Sequence, residues 1–173
     1  MDPLMIVLRG LHIGFGVLWV GAAWMMFLFV EPTLKALGAD VQKSFMGHII
    51  GVRRLTTIVT SATIVTVGAG AVMYVLDVLR YTPQFFFGSG FGIVLTIGAV
   101  AAIIAFLSGL IFIEPGFSRM ANIGAEIDAA GGPPKPEQVA ELGAIGARLD
   151  QVFRADFVLL LIAVIAMAVA RYV

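Results

Sequence analysis

The chain has 173 residues, of which 60% are hydrophobic and 13% charged, and its formal net charge at pH 7 is zero. Soluble domains carry roughly 25% charged residues, so this composition excludes an ordinary soluble fold and indicates a polytopic membrane protein. The chain has no basic run, which excludes nucleic acid as an expected partner. It has no cysteine, which excludes disulfides, zinc–thiolate sites, iron–sulfur clusters and c-type haem attachment.

A helix needs about 20 mostly apolar residues to cross the hydrocarbon core. The stretches that satisfy this requirement cover about residues 4–30, 55–79, 91–113 and 152–172. Asp2 and Pro3 precede the first stretch in place of a basic segment, and no small-residue cleavage site closes it, so we expect a span and not a cleaved signal peptide. The predicted fold is all-α, a four-transmembrane-helix bundle in one integral membrane domain, residues 1–173.

The links between the spans contain helix breakers. Pro32 is expected to end or kink the first helix, and Asp40 to cap a short amphipathic helix after it. Pro83 and the glycines near it are expected to prevent a helix between the second and third spans. Residues 114–151 form the longest link. The proline–glycine break AAGGPPKPEQ within it predicts a solvated loop with a polar helical piece on either side.

Lysine and arginine are distributed unequally over the two sides of the predicted bundle. One side carries only Arg9, Arg80 and Arg171. The other side carries Lys35, Lys43, Arg53, Arg54, Arg119, Lys135, Arg148 and Arg154. Because the side richer in positive charge normally faces the cytoplasm, we expect segments 31–54 and 114–151 to be cytoplasmic. Both termini would then lie outside a bacterial inner membrane.

Two short sequences recur in the same order along the chain. The sequence FVEP at residues 29–32 returns as FIEP at residues 112–115, and GVRRLT at 51–56 resembles QVFRAD at 151–156. This pattern predicts that the bundle is built from two repeated helix hairpins, inserted with the same orientation and related by an axis along the membrane normal. The alternative is chance similarity between apolar segments.

Several charged side chains fall near one predicted membrane boundary: Glu31, Arg53, Arg54, Glu114, Arg154 and Asp156. Unpaired charges are costly there, whereas hydrogen-bonded pairs are tolerated. We therefore predict that Arg54 pairs with Glu31 or Glu114, and that Arg154 pairs with the other glutamate. Such pairs would clamp the ends of the hairpins; an entry for ions or protons is the alternative.

His12 lies inside the first span, and an ionisable residue in a span indicates a functional site. Neutral imidazole is a ligand for haem iron or copper, and thioether sulfur suits Cu(I) or a haem axial position. Met5 shares the helical face of His12, while Met73 and Met167 are expected at a similar depth. The candidate cofactor ligands are therefore His12, Met73 and Met167, and the candidate metal ligands are His12, Met5 and Met73. The alternative is a histidine that bonds a backbone carbonyl or Thr96, among methionines that only fill space.

The remaining polar and small residues limit which functions the sequence allows. His48 is expected near the opposite boundary from His12, which excludes bis-histidine haem ligation within one chain. Gly10 and Gly14 form a G-x-x-x-G pattern typical of close helix packing, with room for a porphyrin as the alternative. The other small residues expected at such contacts are Gly16 and Gly21 in the first span, Gly68, Gly70 and Ala71 in the second, and Gly98 in the third. No nucleophile–base pair is evident, so an enzyme is not expected. The hydroxyl residues that lack a nearby histidine are Thr60, Ser61, Thr63, Thr66 and Ser108.

The first span, LHIGFGVLWVGAAWMMFLFVEP, resembles the opening helix of bacterial copper resistance protein D-like membrane proteins. The residues that carry the likeness are Leu11, His12, Trp19, Gly21 and Pro32. The same pattern is similar to the HemJ-type membrane protoporphyrinogen oxidases, which are small haem-binding proteins, and the remainder is similar to a four-span bacterial family. The resemblance implies copper handling or b-type haem binding through His12.

Two functions are therefore expected from the sequence. The first is a membrane protein that binds haem b or copper through His12 and works in electron transfer or metal handling. The second is a non-catalytic accessory subunit of a larger membrane complex, with no cofactor of its own. In both cases the expected partners are membrane lipids and either other membrane protein subunits or further copies of this chain.

Overall fold

The computed structural model describes residues 3–173, with the side chain of Ala39 left aside. These residues form helices and short connections, with no strand among them. The helices are α1 (Pro3–Leu37), α2 (Ala39–Met46), α3 (Leu55–Tyr81), α4 (Pro83–Gly88), α5 (Gly90–Ala130) and α6 (Pro136–Tyr172). The helices long and apolar enough to cross a membrane are α1, α3, α5 and α6. The predicted all-α architecture with four spans is confirmed.

The four spans pack as two pairs of consecutive helices, α1 with α3 and α5 with α6. A small central core joins the pairs through Trp19 of α1, Ala105 of α5 and Leu160 of α6. Within the second pair the backbones approach closely, because a Cβ on Gly98 would lie 3.1 Å from the Cβ of Ala166. Small residues therefore set the distance between these two helices, as is usual where lipid replaces water.

The first helix does not end at Pro32. The five residues before Glu31, Met26–Val30, are π-helical, and the N–H of Glu31 donates to the carbonyl of Met26. The Thr33 hydroxyl donates to the carbonyl of Phe29 at 2.6 Å. These bonds satisfy carbonyls in the turn where proline offers no N–H, so α1 continues to Leu37.

The short helix α2 is not capped by Asp40 as predicted. Gly38 occupies the N-cap position with φ of 92°, and no side chain caps the helix. Glycine reaches this φ without steric cost, whereas Asp40 lies in the first turn, where its charge suits the helix dipole. A π-helical segment, Gly47–Val52, follows α2. Arg54, with φ of 52°, then separates it from α3.

The link between α3 and α5 contains a helix, contrary to prediction. Pro83 lies at the start of α4, where its missing N–H has no helical partner to lose. The helix turns Phe86 into the bundle, where it is 1% exposed. The Phe86 ring packs edge-on against Tyr74 and Phe91, with centroids 5.3 and 5.8 Å away. We call this closed end of the bundle, marked by Tyr74, Phe86 and Phe91, the aromatic end.

Residues 114–151 form a helical hairpin and not a loop. The two polar helical pieces predicted there are continuations of α5 and α6, and the predicted proline–glycine break is the turn between Ala130 and Pro136. The arms approach closely where the buried Leu149 of α6 packs on Gly116 of α5, whose Cβ position is 3.0 Å from Cδ2 of Leu149. Arg119 adds a two-pronged ion pair with Glu141 at 2.7 and 2.9 Å. The end of the bundle from which this hairpin extends carries Glu31 and Glu114, and we call it the Glu-Pro end.

A Gly92→Ala substitution tests the packing at the aromatic end. A Cβ there would overlap the carbonyl oxygen of Phe86, so the backbone must move. We expect a loss of roughly 1–3 kcal/mol in the free energy of unfolding, as is typical of overpacking. Reversible unfolding in detergent measures it. The matched control is Gly124→Ala on the same helix, where a Cβ meets nothing within 4 Å; equal stability of both variants would contradict the packing described.

Candidate functional site

The imidazole of His12 lies between α1 and α3. Its Nδ1 is 2.8 Å from the carbonyl oxygen of Thr66. A carbonyl only accepts, so Nδ1 carries the proton and donates it, and in the neutral ring Nε2 keeps its lone pair. A Cβ on Gly70 would lie 2.8 Å from Cε1 and 2.9 Å from Nδ1 of the ring. The ring therefore occupies space that only glycine leaves open.

The geometry shows which of the expected hydrogen bonds His12 makes. It donates to a backbone carbonyl, that of Thr66, and not to Thr96. The Thr96 hydroxyl instead bonds the hydroxyl of Tyr74 at 2.7 Å and the carbonyl of Gly92 at 2.6 Å. The imidazole does not point at bare lipid, because one nitrogen is engaged by the neighbouring helix.

The methionines predicted to accompany His12 divide between the two helix pairs. Met73 follows Thr66 by seven residues and Gly70 by three, so it shares the face of α3 that meets α1. Met5 precedes His12 by two turns on α1. Met167 belongs to the other pair, with its Cγ 3.2 Å from the Cβ position on Gly98. Met5 and Met73 thus belong to the same helix pair as His12, whereas Met167 packs between α5 and α6.

Acidic ligands do not surround this histidine. Across residues 3–173 no group of three or more His, Cys, Asp or Glu side chains is placed to hold a metal ion. His48 is exposed on the π-helical segment before α3. Gly70, which touches His12, lies about 22 Å along α3 from its first residue at 1.5 Å per residue. The two histidines are therefore at different depths, as expected.

The charged residues at the Glu-Pro end pair differently from the prediction. Glu31 binds Lys35 at 2.7 Å, and Arg154 binds Asp150 at 2.9 Å. Both pairs are four residues apart on one helix, a spacing that brings side chains together without tertiary contacts. Lys35 also reaches Asp150 at 3.1 Å and so ties α1 to α6.

The remaining members of the predicted clamp are unpaired. Neither Arg54 nor Glu114 forms an ion pair with any residue in the described part of the chain. The ion pair that joins two spans at this end is therefore that of Lys35 with Asp150, which was not predicted. The partners are partly exposed, so solvent weakens these pairs. The pairing of Glu31 with Lys35 could have been predicted from the sequence, because the two residues are four positions apart on one helix.

The predicted small-residue packing occurs at some of the expected glycines and not at others. A Cβ on Gly10 or Gly14 would meet nothing within 4 Å, so this pattern faces away from the bundle. The close approach of α1 to α3 occurs instead at Gly16, whose Cβ position is 3.4 Å from Cγ2 of Thr66, and at Gly70.

A second polar centre was not recognised from the sequence. Asp156 was expected at the membrane boundary, but it is 7% exposed and faces a cavity between the spans. Its Oδ1 is 2.5 Å from Oγ of Ser108 on α5. The feature of the sequence that pointed to its burial is that Asp156 directly precedes the apolar run that starts at Phe157.

A double-mutant cycle tests the contact between His12 and Gly70. We expect Gly70→Ala to lower the free energy of unfolding by roughly 1–3 kcal/mol, because its Cβ overlaps the ring. In a His12→Ala background the same change should cost little, giving a coupling energy within the usual 0.5–3 kcal/mol range. Gly68→Ala, whose Cβ meets nothing within 4 Å, is the control. Additive effects of Gly70→Ala and His12→Ala would exclude the contact.

Comparison with known proteins gives no family model, curated protein or solved structure that matches the chain. The likeness of the first span to copper resistance protein D-like proteins therefore remains a resemblance carried by a few residues of α1. The function has to be argued from the geometry of the site.

Proposed function

We propose that this integral membrane protein binds Cu(I) between α1 and α3, with His12 as the nitrogen ligand, and that it works in copper handling. The observation that carries the proposal is the hydrogen bond from Nδ1 of His12 to the Thr66 carbonyl. Metal-binding histidines typically donate their second ring N–H to such a group, which fixes the tautomer and orients the ring. The lone pair on Nε2 is then available to a metal ion.

The other donors on this helix pair suit the same ion. Met73 and Met5 supply thioether sulfur, a soft ligand that favours Cu(I) over hard cations. Both are partly buried, which limits the access of water. When bound, copper would supply reversible one-electron chemistry or a cargo for transfer, while His12 and the thioethers hold it and Gly70 positions the ring.

Haem b, which the HemJ-type likeness implies, is less well supported. A porphyrin needs a flat space beside its axial histidine, yet the His12 ring already fills the gap above Gly70. The cavity shared by all four spans does not include His12 among its lining residues. Met167, the other predicted axial ligand, packs in the second helix pair. The donor set therefore favours copper.

The distribution of basic residues supports a placement in a bacterial inner membrane. With segments 31–54 and 114–151 in the cytoplasm, both termini lie outside. His12 is then nearer the outer face, so the proposed ligands would meet copper from the periplasmic side.

A duplicated hairpin is part of the same proposal. Each Glu-Pro sequence directly follows a five-residue π-helical segment, Met26–Val30 in α1 and Gly109–Ile113 in α5. In both, the N–H of the glutamate donates to the carbonyl five residues earlier. The shared local geometry supports a common origin for residues 29–32 and 112–115. The histidine has no counterpart in the second hairpin, where Leu95 occupies the matching position.

Cu(I) binding by matched variants tests the proposed ligands. Purified protein in detergent is titrated without oxygen against a chromophoric Cu(I) chelator, and bound metal is measured by mass spectrometry. We expect His12→Ala to weaken binding by roughly tenfold or more, with His48→Ala unchanged. Met73→Leu should also weaken binding, whereas Met167→Leu should not.

The outcomes separate the alternatives. Binding that survives in His12→Ala, or its absence from the wild-type protein, would rule out the copper site. A Soret band in the visible spectrum that disappears in His12→Ala would establish haem in place of copper.

An accessory subunit is the second candidate, favoured by the outward face of α1. Gly10 and Gly14 are exposed there and would let the helix of another membrane subunit approach closely. We expect Gly14→Leu to abolish co-purification of that subunit, detected after cross-linking in membranes. Gly68→Leu on the outward face of α3 is the control. Retention of the partner by Gly14→Leu would exclude this face.

A further inference from the structure

A cavity of about 120 Å³ lies between the four spans at the Glu-Pro end. Trp19 of α1, Thr63 of α3, Ala105 of α5 and Leu160 of α6 each contribute to its wall. Met46 and Ile50, from the segment between α1 and α3, also line it. Glu114, at its edge, is exposed, so the cavity reaches the surface beside this carboxylate. It is separate from the proposed copper site, because His12 is not among its lining residues.

The walls of the cavity are mainly apolar and rich in aromatic rings. The aromatic lining residues are Trp19, Phe106, Phe117, Phe153 and Phe157. Phe117 and Phe153 pack together with centroids 6.1 Å apart. The faces of such rings carry negative potential and attract cations, while their area favours an apolar ligand body.

Asp156 is the buried acidic group of this cavity, at 7% exposure. The Oγ atom of its partner Ser108 lies 2.5 Å from Oδ1 of Asp156 and 3.0 Å from the carbonyl oxygen of Ala105. A hydroxyl has one proton and can donate to only one of them. Both contacts are satisfied if the Asp156 carboxyl is protonated and donates to Ser108, while Ser108 donates to Ala105.

Among the described residues, no basic side chain lines the cavity beside Asp156. On α1, on α3 and on the segment between them, the lining residues include no titratable group. Glu114 is the titratable lining residue contributed by α5, and α6 contributes only Asp156 itself. Arg154, two residues away, is exposed and paired with Asp150. An ionised Asp156 would therefore require a positive charge from outside the chain.

We propose that this cavity binds a small lipophilic monovalent cation, with Asp156 as its counter-ion. On binding, the carboxyl O–H bond breaks, the proton leaves to water, and the carboxylate pairs with the cation. One positive charge enters for each proton that leaves, so the net charge in the cavity is unchanged. The aromatic walls cover the apolar body of the ligand, whereas an inorganic ion would find too few oxygen ligands there to replace its water.

The probe is tetramethylammonium, a small quaternary cation that cannot lose its charge to deprotonation. Its neutral isostere, neopentane, has the same shape without the charge. Binding to the copper-free protein in detergent is followed through tryptophan fluorescence, since Trp19 lines the cavity. Proton release is measured in weakly buffered solution with a pH indicator. We expect one proton to be released for each cation bound. At pH values where the carboxyl of the free protein is protonated, the affinity for the cation should fall about tenfold for each unit by which the pH is lowered.

Two aspartate variants on α6 are compared. Asp156→Asn keeps the shape of the side chain and should abolish both binding and proton release. Asp150→Asn, outside the cavity, should keep both. Glu114→Gln tests the other carboxylate of the cavity, since loss of binding in this variant alone would make Glu114 the counter-ion in place of Asp156.

Four outcomes would overturn the proposal. They are unchanged binding in Asp156→Asn, loss of binding in Glu114→Gln alone, equal affinity for the neutral isostere, and no binding at millimolar concentration. The same measurements can be made on the His12→Ala variant, which lacks the proposed copper ligand. Failure of the cation proposal is therefore distinguishable from failure of the copper proposal.

Discussion

The lack of water in the hydrocarbon core is the constraint on which the rest of this structure depends. A polar group inside the bundle must find its partner on the same helix or on a neighbouring one. The imidazole of His12 meets the Thr66 carbonyl, Tyr74 meets Thr96, and Ser108 meets Asp156. Each of these bonds joins two spans, so the polar residues also determine how neighbouring helices face one another.

Close backbone approach provides the space for these bonds. Gly70 leaves room for the imidazole, and Gly98 allows α5 to lie against Ala163 and Ala166 of α6. The same substitution to alanine therefore has different consequences at different glycines. It is sterically neutral where a glycine faces outward, as at Gly10, and intrusive where a neighbouring helix already occupies the space.

The two ends of the bundle differ in how they are closed. Aromatic rings around Phe86 close one end. At the other end the cavity that contains Asp156 extends to the exposed Glu114, and the hairpin formed by α5 and α6 projects beyond it. The proposed copper ligands and the proposed cation site thus lie in different parts of the bundle, and neither site requires the residues of the other.

The sequence by itself determined the number of spans, the helical class and the position of His12 within a span, because those follow from the length and order of the apolar runs. It did not determine what Pro32 does, since a π-helical segment allows α1 to continue past it. Nor did it determine which glycine meets His12, or that Met167 packs in the second helix pair. Only the tertiary structure decided these points, and with them the burial of Asp156 against Ser108. Rotation and depth of each helix follow from side-chain packing between spans, which no pattern along a single span contains.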